Sequence, residues 1–140
     1  MKCGVHKINE LMTYKYVVIF ARYKNKWILC KHKNRDTWET SGGHIELSET
    51  PIEAARRELY EETGATDFEI EAICDYQACD AETENIEWAN GQVFLARINN
   101  LKEIPQNSEM ECIDFFDEFP QNLTYPDITY TLLPHIITKI

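Results

Sequence analysis

The chain has 140 residues, of which 44% are hydrophobic, so it is long enough for one domain with a sizeable core. Its formal net charge of −10 and pI near 4.8 argue against a protein that covers a nucleic-acid backbone, because such proteins cluster Lys and Arg. With no signal peptide and no membrane-spanning apolar run in the sequence, we expect a cytoplasmic monomer or homodimer that binds neither nucleic acid nor membrane.

Two stretches near the N-terminus predict a β-hairpin. Tyr14–Phe20 and Lys26–Lys31 are rich in β-branched and aromatic side chains, and the polar segment RYKN lies between them. We expect a further short strand over Thr37–Thr40, leading into a loop that contains the paired glycines Gly42 and Gly43.

A helix is predicted to begin after Thr50 and to end at Gly64. Thr50 supplies an N-cap hydroxyl, Pro51 suits the first helical position, and Glu53 completes a capping box. Glycine is a common residue just past a helix end. One mostly apolar stripe of this helix is expected to face the core: Ile52, Ala55, Leu59 and Thr63.

Three glutamates cluster on an adjoining face of the same helix: Glu58, Glu61 and Glu62. Glu58 and Glu62 are one turn apart and repel each other on a bare helix, whereas a bound cation would make the pair favourable. The cluster contains oxygen ligands without Cys or His, so we predict a site for Mg²⁺, with Mn²⁺ as an alternative, rather than for Zn²⁺.

A plainer interpretation of the acidic helix is an ordinary salt-bridge ladder. Glu53, Arg57 and Glu61 stand at i, i+4 and i+8, a spacing typical of solvated faces. Such a ladder explains neither the paired glycines upstream nor the repelling glutamates on the neighbouring face. The metal site is therefore favoured.

The second half of the chain predicts three more strands and a closing helix. Partial alternation and apolar runs indicate strands over Glu69–Tyr76, Glu87–Ile98 and Glu111–Phe116. A helix is expected from Pro126 onward, and Pro134 should kink or interrupt it. Strands outnumber helices, which indicates an α/β (α+β) fold with a mixed sheet flanked by two helices.

The five cysteines are an odd number without CxxC spacing, which favours reduced thiols that lie mostly in the core. A zinc set drawn from Cys30, His32, Cys74 and Cys79 matches no familiar ligand spacing and is disfavoured.

The segment GHIELSETPIEAARRELYEETGA, from Gly43 to Ala65, resembles the Nudix box, GX5EX7REUXEEXGU, and fills every fixed position. The resemblance implies one Nudix hydrolase domain over residues 1–140, folded as an α/β/α sandwich with a mixed β-sheet. It also implies Mg²⁺-dependent cleavage of the pyrophosphate bond in a nucleoside diphosphate linked to another group.

The same resemblance implies roles for the matching residues. Arg57 resembles the arginine that fixes the loop and its glutamates, and Glu61 and Glu62 belong to the catalytic set. The general base is either Glu58 or an acid outside the box, Glu109 or Glu111. The implied metal ligands are the carbonyl of Gly42 and the carboxylates of Glu49, Glu58, Glu61 and Glu62, with Glu49 either ligating or orienting another ligand.

Two positions depart from common relatives. Ser41 stands where proline is frequent, and we expect it to loosen the entry to the loop. His44 stands where Lys or Arg is frequent; it either contacts a phosphate when protonated or is a solvated loop residue.

Chain length and element order resemble the compact MutT-like members of the family, and among them a YtkD-like branch. This implies a (d)NTP or an oxidised purine nucleotide such as 8-oxo-dGTP as substrate, with NMP and pyrophosphate as products. Asn122 could read a purine edge through its amide, or be a plain turn residue. Candidates for stacking on the base, although aromatic residues in sheets more often belong to the core, are Trp38, Phe94, Tyr125 and Tyr130.

Three other functions remain open. A non-hydrolytic nucleotide-binding regulator would be favoured by loss of a box glutamate, and none is lost. A relative of isopentenyl-diphosphate isomerase would carry a cysteine near the glycine loop, and none lies between Lys31 and Ile73. Hydrolysis of ADP-ribose or dinucleoside polyphosphates would use the same box. A hydrolase is the favoured function.

Overall fold

The computed structural model describes residues 2–79 and 87–140, which form an eight-stranded mixed sheet with one helix on each face. The sheet order is β1-β6-β7-β2-β3-β4, with β5 paired to β2 and β8 paired to β3. Strands β2 and β7 run parallel, and the other pairs are antiparallel. The elements are β1 (Lys2–His6), β2 (Tyr16–Tyr23), β3 (Lys26–His32), β4 (Trp38–Glu39), β5 (Ser41–His44), α1 (Pro51–Thr63), β6 (Ala65–Cys79), β7 (Ala89–Leu101), β8 (Met110–Phe116) and α2 (Pro126–Ile137).

The mixed sheet with two helices confirms the predicted fold class, and the predicted hairpin is β2 and β3. Its turn places Lys24 and Asn25 at φ 49° and 66°, the left-handed geometry that tight hairpin turns require. Strand β1 was not predicted, because KCGVH carries no apolar run. It pairs with the edge of β6, with Lys2 opposite Cys79 and His6 opposite Asp75.

Alternation along the central strands divides the core into two clusters. Val17 and Ile19 of β2 point toward α1, where Leu59 is fully buried. Phe20 points to the opposite face, where it packs with Leu132 of α2. Successive strand side chains lie on opposite faces, so one strand serves both helices and holds them in fixed positions.

Helix α1 has the predicted ends. The amide of Glu53 donates to Thr50 Oγ1 at 3.3 Å, and the amide of Thr50 donates to Glu53 Oε1 at 3.0 Å. Gly64 adopts φ 79°, and its N–H donates to the carbonyl of Tyr60 at 2.9 Å. The predicted stripe faces the core, with Ala55, Leu59 and Thr63 buried and Ile52 half-buried.

Helix α2 continues through Pro134 to Ile137, so the predicted interruption is wrong. The carbonyl that loses its helical hydrogen bond belongs to Tyr130, four residues earlier, whose side chain is 50% exposed. Leu132 and Ile136, on either side of Pro134, are fully buried in the core, and this packing keeps the two parts of the helix together. No helix in the described ranges combines the length and apolar character needed to span a membrane.

The end of α1 provides a test of the fold. A Cβ at position 64 would collide with the carbonyl oxygen of Lys102, and the positive φ disfavours any L side chain. We expect Gly64→Ala to lower the free energy of unfolding by at least ~2 kcal/mol in urea denaturation.

The matched control is Gly4→Ala in β1, where an added Cβ meets nothing within 4 Å. Its effect on the unfolding free energy should stay within ~0.5 kcal/mol. Equal effects of the two substitutions would contradict the assigned backbone of the α1–β6 junction.

Candidate active site

The glycine segment predicted as a loop is strand β5, and its bare backbone faces the acidic side of α1. A Cβ at Gly42 would collide with the carbonyl oxygen of Val17, and a Cβ at Gly43 would lie 2.6 Å from Glu58 Oε1. The two glycines therefore allow β5 to pair with β2 while the helix carboxylates approach the strand.

Glu62 is the most enclosed of these acids, at 7% exposure. Its Oε1 accepts hydrogen bonds from the amide of Gly42 at 2.7 Å and from the hydroxyl of Ser41 at 2.8 Å. The pKa of Glu62 is raised to about 8, chiefly by burial and also by the charges of Glu58 and Glu39, while the bonds from Gly42 and Ser41 oppose the rise. The metal-free site thus disfavours the ionised form of Glu62.

Glu58, one turn earlier, shows the same tendency more weakly. Burial raises its pKa to about 6, against the hydrogen bond from Arg57, and the charges of Glu61 and Glu109 add to the increase. Glu58 and Glu62 are thus two electrostatically coupled carboxyls that resist ionisation together.

Arg57 forms hydrogen bonds with three further glutamates and with the backbone of His44. Its Nε and Nη2 donate to the two oxygens of Glu49 at 2.7 and 2.9 Å, a bidentate pair. Its Nη1 donates to Glu58 at 2.9 Å and to Glu61 at 3.4 Å, and Nη2 donates to the carbonyl of His44 at 3.1 Å. The hydrogen bond from Arg57 lowers the pKa of Glu49, so that carboxylate stays ionised.

The predicted convergence of three acids at one point is not observed. In the described part of the chain, no three His, Cys, Asp or Glu side chains form a ready-made metal centre. Glu61, with its side chain 47% exposed, shares Arg57 Nη1 with Glu58, whereas Glu62 is bonded to Ser41 and Gly42. Among the described residues, Cys30, His32, Cys74 and Cys79 likewise form no such group, and all five cysteines are free.

The donor chemistry nevertheless fits a hard divalent cation. Glu58 and Glu62 offer carboxylate oxygens beside the backbone of β5, and burial raises the pKa of each. A cation would supply the positive charge that this pair lacks. Gly42, Glu49 and Glu61 surround the pair as further ligand candidates.

A cleft of about 590 Å³ opens over this contact, lined by Gly42 and Glu62. The cleft is also lined by the cations Lys15 and Arg35, by two histidines, and by further acids: His32, His44, Glu39, Glu87 and Glu109. In a chain with net charge −10, Lys15 and Arg35 give the cleft local partners for an anion, although Arg35 also donates to Glu39 at 2.9 Å.

Of the predicted substrate-binding residues, His44 and Tyr125 reach the cleft. The ring of His44 lies 4.5 Å from that of Tyr16. The guanidinium of Arg35 lies 5.9 Å from the ring centre of Tyr125, which is 41% exposed. An exposed ring at the cleft is a surface on which a nucleobase can stack.

Trp38 and Asn122 do not line the cleft, contrary to their predicted role. Trp38 packs edge-on against Phe116, with ring centres 5.2 Å apart. The side-chain amide of Asn122 donates to the backbone carbonyl of Asp36 at 3.2 Å. The backbone carbonyl of Asn122 accepts from the backbone N–H of Trp38, so Asn122 has the contacts expected of a turn residue.

The other two aromatic candidates are also placed elsewhere. Phe94 is a core residue at 1% exposure, and Tyr130 lies on the outer face of α2. Phe94 therefore belongs to the core, as the alternative interpretation held, whereas Tyr130 is neither a core residue nor part of the cleft lining.

The two acids outside the box differ in their surroundings. Glu109 lines the cleft, lies 3.8 Å from His32 Nε2, and contributes to the raised pKa of Glu58. Glu111 accepts a hydrogen bond from Lys31 Nζ at 2.8 Å, which lowers its pKa. Glu109 is the better placed candidate base.

Sequence reasoning missed several residues of the cleft. Ser41 was expected to loosen the loop, but it is 1% exposed and bonded to Glu62, so that expectation is wrong. Arg35 and Glu39 form an ion pair of 2.9 Å in the cleft wall, and Lys15 lies at its rim. Arg35 and Glu39 are only four residues apart, but Lys15 and Ser41 reach the same cleft from other parts of the chain, and no local motif marks any of the four.

Comparison with known proteins agrees with this geometry. The NUDIX domain family model matches residues 13–118. A putative 8-oxo-dGTP diphosphatase, YtkD of Bacillus subtilis, is 31% identical over 110 residues, covering 79% of this chain and 66% of that protein, slightly less than two thirds of its length. Phosphatase NudJ of Escherichia coli K12 is 28% identical over 108 residues, covering 59% of this chain and 70% of that protein.

Solved structures show the same fold. The Bacillus subtilis pyrophosphohydrolase BsRppH, solved as a point mutant, aligns with a TM-score of 0.76 and 25% identity, covering 98% of this chain and 88% of that one. A MutT NUDIX hydrolase from Burkholderia pseudomallei aligns with a TM-score of 0.69 and 22% identity, covering 89% of this chain and 98% of that one. With the family model spanning most of its length and the box complete, the chain belongs to the Nudix hydrolase family.

Proposed function

We propose that this Nudix hydrolase cleaves a nucleoside triphosphate between the α and β phosphates, releasing NMP and pyrophosphate, with Mg²⁺ as its cofactor and Mn²⁺ as a substitute. The preferred substrate is a purine (d)NTP or an oxidised form such as 8-oxo-dGTP. The observation that carries the proposal is the buried carboxyl of Glu62, beside the half-buried Glu58 and the β5 backbone, in the wall of a cleft that Lys15 and Arg35 also line.

Bound at this pair, a divalent cation would neutralise phosphate charge and lower the pKa of an attacking water. The protein supplies position and proton transfer. Arg57 keeps Glu49, Glu58 and the loop carbonyl of His44 in one arrangement. Glu58, with its pKa raised to about 6, is a stronger base than an ordinary glutamate and is still ionised above pH 7. Glu109 is the alternative base.

The cleft walls support a nucleotide substrate. Lys15, Arg35 and His44 are positioned to balance phosphate charge. Stacking of a base on Tyr125 would contribute ~1–3 kcal/mol without selecting among bases. The name of the YtkD relative supports an oxidised purine nucleotide. The compact chain also resembles the MutT-like members of the family.

A regulator that binds without cleaving receives less support. The NUDIX domain of Shewanella oneidensis NrtR, solved with ADP ribose, has a TM-score of 0.68 but only 16% identity, and so shows the fold alone. The present chain keeps every acid of the box.

The first test of this function removes the charge of Glu62. Glu62→Gln keeps an oxygen that can accept from Ser41 and Gly42, so we expect a folded protein. The variant should lose at least ~10²-fold in kcat at saturating Mg²⁺, because a ligand charge is lost. Steady-state phosphate release measures this loss.

The matched control is Glu69→Gln on β6, which removes the same charge from an exposed strand position. Its kcat should stay within ~2-fold of wild type. A Glu62→Gln enzyme with unchanged kcat would remove Glu62 from the metal site.

The second test identifies the substrate and the metal requirement. Initial rates are compared for purine and pyrimidine (d)NTPs, 8-oxo-dGTP, ADP-ribose, dinucleoside polyphosphates and a 5′-triphosphorylated oligonucleotide. We expect a purine triphosphate or 8-oxo-dGTP to have the highest kcat/KM, and EDTA to abolish turnover until Mg²⁺ or Mn²⁺ is restored. A tenfold preference for ADP-ribose, a dinucleoside polyphosphate or the oligonucleotide would refute the substrate assignment, and full activity in EDTA would refute the metal assignment.

A further inference from the structure

Ser41 is a buried hydroxyl placed against the most enclosed acid of the site. It lies in β5 opposite Ile19 of β2 and is 1% exposed. Its Oγ donates to Glu62 Oε1 at 2.8 Å, and the amide of Gly42 donates to the same oxygen at 2.7 Å. A buried hydroxyl needs such a partner, and proline at this position would have neither a hydroxyl nor an N–H.

The two donors leave the second carboxylate oxygen for another use. Oε2 of Glu62 makes no hydrogen bond to any residue that the structure describes. Every fully buried side-chain oxygen of the described residues has a partner, so Oε2 is not fully buried. Because Glu62 lines the cleft, Oε2 is the oxygen that the cleft presents to a ligand.

The backbone of Glu62 is already fixed by other contacts. Gly64 caps the helix end, Thr63 is fully buried, and the thiol of Cys30 donates to the carbonyl of Glu62 at 3.7 Å. The remaining freedom belongs to the side chain. Without the Ser41 hydroxyl, the carboxylate would keep a single donor and could turn toward the guanidinium that already holds Glu58 and Glu61.

We propose that Ser41 is a positioning residue that, together with the Gly42 amide, holds Glu62 Oε1 so that Oε2 faces the divalent cation. This inference rests on the metal site of the proposed function. It assigns to Ser41 an effect on cation affinity and on kcat, and not on the KM for the nucleotide, because Ser41 acts through Glu62.

The test measures Mn²⁺ binding with no nucleotide present. Binding is detected by electron paramagnetic resonance as a decrease in the signal of free Mn²⁺. Ser41→Ala should weaken Mn²⁺ affinity about tenfold. Ser41→Thr retains the hydroxyl and should bind within ~3-fold of wild type. In a Glu62→Gln background, Ser41→Ala should have less than ~2-fold effect, since the two changes remove one interaction.

Urea denaturation in EDTA separates positioning from stability. A merely structural serine would lower the unfolding free energy of Ser41→Ala and leave the Mn²⁺ affinity of the folded protein unchanged, which would overturn the inference. So would an equal loss of affinity in the Thr variant. With the best nucleotide, kcat should fall about tenfold while KM stays within ~2-fold.

The outcomes distinguish this inference from the proposed function. If Ser41→Ala weakens Mn²⁺ binding but no nucleotide is hydrolysed by wild type, the function fails and the positioning role stands. If wild type hydrolyses nucleotides and Ser41→Ala binds Mn²⁺ normally, the positioning role fails alone. Absence of Mn²⁺ binding by wild type overturns both.

Discussion

The site depends on one contact, the buried carboxylate of Glu62 against the bare backbone of Gly42. Burial favours the neutral acid, whereas the two hydrogen bonds on Oε1 favour the ionised form, and burial is the larger effect because the pKa rises to about 8. The contact requires glycine at position 42, where a Cβ would meet the carbonyl of Val17. It also requires α1 to lie close over β5, which the burial of Leu59 maintains.

Arg57 is the second contact on which the acidic face of α1 depends. Its guanidinium holds Glu49 in a bidentate pair and also bonds to Glu58, so the acidic helix carries its own counter-charge. The arrangement reduces repulsion in the metal-free chain and keeps the loop carbonyl of His44 in place. It does not reach Glu62, whose charge remains uncompensated. A divalent cation bound as we propose would supply a counter-charge to Glu62.

The features of α1 that depend on nearby residues were predicted correctly from the sequence. The capping box at Thr50, the stop at Gly64 and the buried stripe through Leu59 depend on neighbours within a turn, and all are present. Contacts between residues far apart in the chain could not be predicted from local sequence patterns. The edge pairing that forms β1, the turn contacts that turn Asn122 away from the cleft, and the approach of Ser41 to Glu62 each join residues at least twenty positions apart. The interruption predicted at Pro134 does not occur, because Leu132 and Ile136 on either side of it are buried in the core, and this packing cannot be seen in the local sequence.

The most direct measurement is the number of protons released when Mg²⁺ binds, obtained by calorimetry at pH 7 in two buffers of different ionisation enthalpy. In the metal-free protein, raised pKa values of about 8 for Glu62 and about 6 for Glu58 mean that the pair holds protons that are lost only as pH rises through those values. At pH 7 the pair carries about one proton, mostly on Glu62, so cation binding should release about one proton per chain. In Glu62→Gln the release should fall to a small fraction. Mg²⁺ binding to wild type without proton release would contradict the account.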